Sequence, residues 1–280
     1  MTSTDTTTFD EIIDLAAEDQ KSARKALRKL APTLPDNAQV QTALGLTYMA
    51  LEQPRDAVRA FKRAIELDPN DPLPRYHLGS LQSDMGLLPH AEENLRVAVA
   101  AEPENVEYQE ALGFTYYKAN KSELAMTALE AAAEKGSEDD DVFASLGYLY
   151  YFAERMTDSR DAFSRAIALN PEYAEVYNNR GYLNILLGDL DAAVADLNAC
   201  IAKDDEFLRA RYNLGVATWL QGEHDAAMEI YTAARRQDKG DAELQQHLND
   251  LDQIAEHHPS DDSLKDLKVK LAVAQKTRRR

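Results

Sequence analysis

Six glycines stand at Gly45, Gly79, Gly113, Gly147, Gly181 and Gly215, each 34 residues after the one before. With 11 glycines in 280 residues, five further coincidences at one fixed step would arise about once in 10 million random arrangements, so the spacing is a true repeat. Other columns keep the same step. Twelve residues after each glycine stands Ala57, Ala91, Ala125, Ser159, Ala193 or Ala227. Sixteen after it stands Phe61, Leu95, Leu129, Phe163, Leu197 or Tyr231, and nineteen after it Ala64, Ala98, Ala132, Ala166, Cys200 or Ala234.

Within each period the apolar spacing is helical. Val40, Ala43, Leu44, Thr47 and Tyr48 recur at steps of three and four, and so do Ala57, Val58, Phe61, Ala64 and Ile65. Between these runs Glu52, Gln53 and Pro54 break the pattern, with Pro54 suited to a helix start, and Pro69 ends the second run. Each repeat therefore reads as two short antiparallel helices. The glycine and alanine columns let the helix backbones approach closely, and the larger column fills the space between them. One such pair cannot bury its apolar faces alone, so neighbouring pairs must stack into a solenoid.

The pattern resembles the tetratricopeptide repeat, across six full repeats at residues 38–71, 72–105, 106–139, 140–173, 174–207 and 208–241. The stretch with Tyr177-Asn178-Asn179-Arg180-Gly181-Tyr182, Leu187-Gly188-Asp189 and Asp191-Ala192-Ala193-Val194 is similar to the bacterial form of that family, in which an arginine before the glycine is usual. Departures are Ser159 in the alanine column, and Ser137, Asp205 and Lys239 in the column held elsewhere by Pro69, Pro103 and Pro171. The resemblance implies an all-α fold, a right-handed superhelical solenoid of antiparallel helix pairs. The flanks read as caps: residues 9–37 as a degenerate helix pair, and residues 242–280 as two capping helices with a basic tail. The Thr-rich residues 1–8 are expected to be disordered.

Composition narrows the function classes. There are 49 Asp and Glu against 31 Lys and Arg, a net charge of -18, whereas a general nucleic-acid footprint is basic. One cysteine excludes a disulfide framework and any multi-cysteine metal site. No secretory signal pattern opens the chain. The longest apolar run, Val142 to Ala153, falls short of the roughly 18 residues a membrane span needs. A cytoplasmic chain without a membrane span is expected. No catalytic constellation is visible, and the six histidines form no HExxH spacing, so neither an enzyme, a cofactor nor a metal is expected. Cys200 reads as a buried small residue in the alanine column.

The resemblance places the first helix of each repeat on a concave face. One residue after the glycine it puts Phe114, Tyr148 and Tyr182 there. Four after, it adds Tyr117, Tyr151 and Trp219, and five after, Phe152. Three before come Tyr76, Asn178 and Tyr212, two before come Asn179 and Asn213, and six before comes Arg209. These thirteen are the candidate partner groove, although tyrosine and phenylalanine also serve as packing residues between helices. In relatives, asparagines two before the glycine hold an extended peptide backbone, and Asn179 and Asn213 supply only part of that ladder. The lysine and asparagine set of a chaperone-tail clamp is missing from every three successive repeats. Asp84, Glu107, Glu110, Asp141 and Glu175 outnumber Lys118 and Arg209 along the lining, which favours a partner of basic or apolar character.

The reading is an adaptor or assembly factor that binds another protein. Two rivals stay open. One is a homo-oligomeric scaffold whose groove receives the terminal helix of a neighbouring copy. The other is a nucleic-acid role for the tail, where seven basic residues and one acid follow from Lys265 onward.

Overall fold

The computed structural model describes residues 3–278, with side chains from Thr8 to Gln275. All regular structure among these residues is helical. The chain divides into two compact units, one ending at Ser137 and the other starting at Glu138.

The N-terminal unit holds α1 (Ser3–Glu18), α2 (Gln20–Leu30), α3 (Ala38–Ala50), α4 (Pro54–Leu67), α5 (Leu73–Asp84), α6 (Leu88–Ala101), α7 (Val106–Lys118) and α8 (Ser122–Glu134). Helix α1 starts at Ser3, inside the stretch expected to be disordered, of which Met1 and Thr2 lie outside the described residues. Asp19 separates α1 from α2 and accepts from the Lys21 and Ser22 backbone N–H groups at 3.0 and 3.2 Å, an N-cap that starts α2. Phe9, Ile12, Ala23 and Leu27 of this pair form one buried cluster with Val40, Leu44 and Leu51.

The C-terminal unit holds α9 (Asp140–Phe152), α10 (Met156–Leu169), α11 (Ala174–Leu187), α12 (Leu190–Lys203), α13 (Leu208–Leu220), α14 (His224–Gln237), α15 (Ala242–His257) and α16 (Ser263–Arg278). Its largest core joins Leu197, Tyr212, Trp219 and Tyr231 to Leu248, Leu251, Leu264, Leu267 and Leu271 of the last two helices.

The glycine column has a direct steric cause. A Cβ added at Gly113 would sit 2.5 Å from Leu129 Cδ2, and one at Gly215 would sit 2.8 Å from the Tyr231 ring. Gly79 and Gly181 meet Leu95 and Leu197 in the same way, and Gly45 and Gly147 meet Phe61 and Phe163. Every large residue sixteen positions on thus lies against the bare Cα of its glycine. No larger residue fits there unless the ring or leucine moves. Ser159, the departure from the alanine column, is buried and donates its hydroxyl to the Gly147 carbonyl at 2.8 Å.

A second 34-residue column appears in the backbone. Glu52, Gly86, Asn120, Glu154, Gly188 and Gly222, between the two helices of successive pairs, all have positive φ, from 54° to 88°. The residue after each donates its N–H to a carbonyl five positions back. Gln53 donates to Tyr48, and the same bond recurs at Leu87, Lys121, Arg155, Asp189 and Glu223, at 2.8 to 3.2 Å. This is the Schellman turn, whose left-handed residue closes one helix and aims the chain into the next.

Candidate functional site

In the C-terminal unit, α9 brings Asp141, Tyr148 and Phe152 onto one face by steps of seven and four, and α11 brings Glu175, Asn179 and Tyr182 onto one face by steps of four and three. The two faces meet. The Tyr148 hydroxyl donates to Glu175 Oε1 at 2.8 Å, and the Asn179 amide donates to the Tyr148 oxygen. The Tyr173 hydroxyl donates to Asp141 Oδ1 at 3.0 Å. At the other end the Tyr151 ring stands edge-on to Phe152 and Tyr182, with centroids 5.3 and 6.4 Å away. Phe152 is 78% exposed, the most exposed large apolar side chain among the described residues. The face is acidic at the helix N-termini and aromatic at the C-termini.

Helix α15 closes one side of it. The Gln253 amide donates to the Tyr151 hydroxyl at 2.6 Å and accepts from the Tyr182 hydroxyl at 3.1 Å. Burial, with Tyr151 and Asp250 beside it, pushes the Tyr182 phenol well above its ordinary pKa. A His258 ring nitrogen lies 2.7 Å from the Ile185 carbonyl at the end of α11. Trp219 donates from Nε1 to Ser263 Oγ at 2.9 Å, and its ring stacks on His224 at 4.0 Å with Lys270 Nζ 5.0 Å from the centroid.

These contacts correct the sequence reading for four candidates. Tyr212, Asn213, Asn178 and Trp219 are core residues, buried to 2% exposure or less. Tyr212 and Trp219 are covered by the two capping helices, which pack on α13. Tyr212 donates to Asp238 Oδ2 at 3.0 Å and stacks on His247 of α15 at 5.4 Å. The asparagines serve one another. Asn213 donates to Asn178 Oδ1 at 3.0 Å, Asn178 donates to Asn179 Oδ1 at 3.2 Å, and Asn179 reaches Tyr148. The amide N–H groups of all three asparagines are thereby engaged inside the fold, while Asn213 Oδ1 is buried without a hydrogen-bond partner.

The remaining candidates lie at the surface or partly so. Arg209 is exposed, 3.6 Å from Glu243, and lines a shallow pocket of about 390 Å³ with Glu175, Glu206, Phe207 and Leu208. In the N-terminal unit Tyr76 is half-buried between His77 and Tyr108, at 4.9 and 4.8 Å. Phe114 is half-buried and Tyr117 is 40% exposed, next to Lys118, which pairs with Asp84 at 3.0 Å. Sequence reasoning missed Gln253, because a lone glutamine in a capping helix carries no repeat signal.

Reactive groups elsewhere are held by the fold. Arg180 forks onto buried Asp196 at 2.6 and 2.9 Å and also reaches Ser164. Burial, with Asp204 nearby, pushes the Cys200 thiol up to about 11, so it stays protonated and inert at neutral pH. Among the described residues no group of three or more His, Cys, Asp or Glu is placed to hold a metal ion, and no helix is long and apolar enough to cross a membrane.

The tetratricopeptide-repeat family matches residues 145–206 and 187–242, and a second profile of that repeat matches residues 38–71. The chain carries tetratricopeptide repeats. Among solved structures it is similar to YrrB, described as a tetratricopeptide-repeat protein with an unusual peptide-binding site. The TM-score is 0.60 at 23% identity, over 76% of this chain and 99% of that one. PilF of Pseudomonas aeruginosa gives 0.62 at 19% identity over 76% and 97%. MamA of Desulfovibrio magneticus RS-1 gives 0.55 at 20% identity over 61% and 96%. At these identities the likeness shows the fold. No curated protein matches the chain in sequence.

Proposed function

We propose that this tetratricopeptide-repeat protein is a non-catalytic cytoplasmic adaptor or assembly factor. In this reading its C-terminal unit holds a segment of another protein against Asp141, Tyr148, Phe152 and Glu175. The observation that carries the reading is Phe152, left 78% exposed at the aromatic end of a face otherwise tied together by hydrogen bonds. Leaving a phenylalanine in water is unfavourable, and an exposed aromatic on a rigid helical surface is the usual anchor of a protein contact. Tyr148, Tyr151, Asn179 and Tyr182 then act as a preorganised support rather than as independent contacts, since each is already hydrogen-bonded or ring-packed. The exposed carboxylates of Asp141 and Glu175 favour a segment with basic residues at one end and an apolar residue at the other. The rise of an α-helix sets those anchors about 16 Å apart, from eleven residues of α9. Phe114 and Tyr117 are proposed as a separate contact patch of the N-terminal unit.

The test is capture of native partners by wild type and by Phe152→Ala, followed by mass spectrometry. Loss of a 2 kcal/mol anchor weakens binding about 30-fold, enough to remove the partner from the captured set. The circular dichroism spectrum should be unchanged, because Phe152 is exposed. Retention of every partner at the wild-type level would refute the reading.

A further inference from the structure

Helix α16 has two apolar faces. Leu264, Leu267 and Leu271 point inward and are buried to 2% or less, packed with Trp219 and Leu251 in the core of the C-terminal unit. On the opposite side Val269 is 61% exposed and Val273 59% exposed, the two most exposed aliphatic side chains among the described residues. They stand four apart on one face with Lys265, which pairs with exposed Asp262 at 2.6 Å. Lys268, paired with Asp252, and Lys270, over the Trp219 ring, flank it, and Asp266 lies beside it. A helix fixed on one side needs no apolar stripe on the other. The Lys265–Asp262 pair is fully exposed and worth little, and seven basic residues against one acid from Lys265 onward favour an acidic surface as its cover.

The same unit carries that surface. Asp141 and Glu175 are exposed at the N-terminal ends of α9 and α11, and Phe152 stands in water at the far end. Lys265 to Val273 spans about 12 Å of helix, which fits within the roughly 16 Å between the acidic and aromatic ends of α9. Laid parallel to α9, Lys265 meets the carboxylates while Val269 and Val273 meet Tyr148 and Phe152. In its own chain α16 is held by its inner leucines, which pack with Trp219 of α13 and Leu251 of α15.

We propose that the segment received by the Tyr148–Phe152 face is α16 of a second copy, so that the chain associates head to tail. The proposal rests on the reading that this face binds protein. A heterologous contact of this kind uses different patches on the two partners, so it does not stop at a dimer and extends into chains or closes into a ring. The patch is small and charged at one end, so association is weak and falls as salt rises.

The test uses the full chain in two variants: Phe152→Ala, which removes the receiving anchor, and Val269→Asp with Val273→Asp, which removes the offered stripe. Fluorescence of Trp219, the single tryptophan, reports through its contacts with Ser263 and Lys270 that α16 remains docked in both. Light-scattering mass across a concentration series should rise past the dimer for wild type and stay monomeric for each variant alone. An equimolar mixture of the two variants should form a pair and stop there, because one supplies an intact stripe and the other an intact face. A monomeric wild type at every concentration overturns the proposal. So does assembly of either variant like wild type, or a mixture that stays monomeric. If wild type is monomeric but its Phe152 face still captures a foreign basic segment, the second copy is refuted as occupant while the binding face stands. If Phe152→Ala neither changes the mass nor loses any partner, the binding face itself is wrong.

Discussion

Gln253 of α15 bridges Tyr151 and Tyr182, donating to one hydroxyl at 2.6 Å and accepting from the other at 3.1 Å across more than two repeats of sequence. This side chain is the hydrogen-bonded link between the capping helix and the tyrosine face. Gln253→Ala should cost about 1 kcal/mol, the loss of ordinary hydrogen bonds at a surface position. Hydrogen exchange should quicken in α15 and near Tyr182, and leave α10 unchanged. Uniform loss of protection across the unit would show instead that the bridge has a global structural role.

The glycine column makes a prediction that runs against helix propensity. Gly113→Ala would gain up to about 1 kcal/mol in an isolated helix. Here the new Cβ would lie 2.5 Å from Leu129 Cδ2, so a net loss of about 1–3 kcal/mol is expected from overpacking. Adding Leu129→Ala should recover part of that loss. A double-mutant cycle by urea denaturation measures it, and additive effects would mean that the two residues do not meet.

The turn column predicts the opposite sign. Glu52 and Glu154 occupy left-handed positions that Gly86, Gly188 and Gly222 fill in other repeats. Replacing either glutamate by glycine should stabilise by about 0.5–1 kcal/mol, since the strain of an L side chain at positive φ exceeds the entropic cost of glycine. Gly188→Ala should destabilise by about 1 kcal/mol. Denaturation midpoints that do not separate the two kinds of substitution would contradict the Schellman assignment.

His247 ties the last repeat to α15 and gives the fold an acid limit. Its ring lies against Tyr212 and 2.9 Å from the Tyr231 hydroxyl, and burial pushes its pKa down to about 3. The unfolded chain binds a proton below about pH 6.5 that the folded chain refuses. Stability is therefore full above pH 6.5 and falls as pH drops toward 3, by roughly 1.4 kcal/mol per unit from this residue alone. At pH 5 the loss is about 2 kcal/mol. His247→Phe should flatten the slope of stability between pH 6.5 and 5, and an unchanged slope would place the acid sensitivity elsewhere.

Much of the fold was legible because the repeat is steric. Gly113 and Leu129, sixteen apart, are written into the sequence as one contact repeated six times. The turn column was legible in principle, since Gly86, Gly188 and Gly222 lie at multiples of 34 and Asn120 suits the left-handed region, but Glu52 and Glu154 hide it behind a residue that rarely takes positive φ. The binding face was harder. Phe152 and Trp219 stand in adjacent repeat columns, five and four residues after their glycines, and look alike in sequence, yet one is bare and the other buried. What separates them is the packing of α15 and α16, a non-periodic contact that no column records. The same helices turned Tyr212 from a surface candidate into core.

The central claim is that partner protein touches the exposed end of α9. A photoreactive phenylalanine analogue placed at position 152 tests it most directly, with the same group at Val97, exposed on the second helix α6, as control. Irradiation in native lysate should give discrete protein adducts from position 152 that are absent from position 97 and that high salt diminishes. Equal adducts from both positions, or none from position 152, would contradict the account.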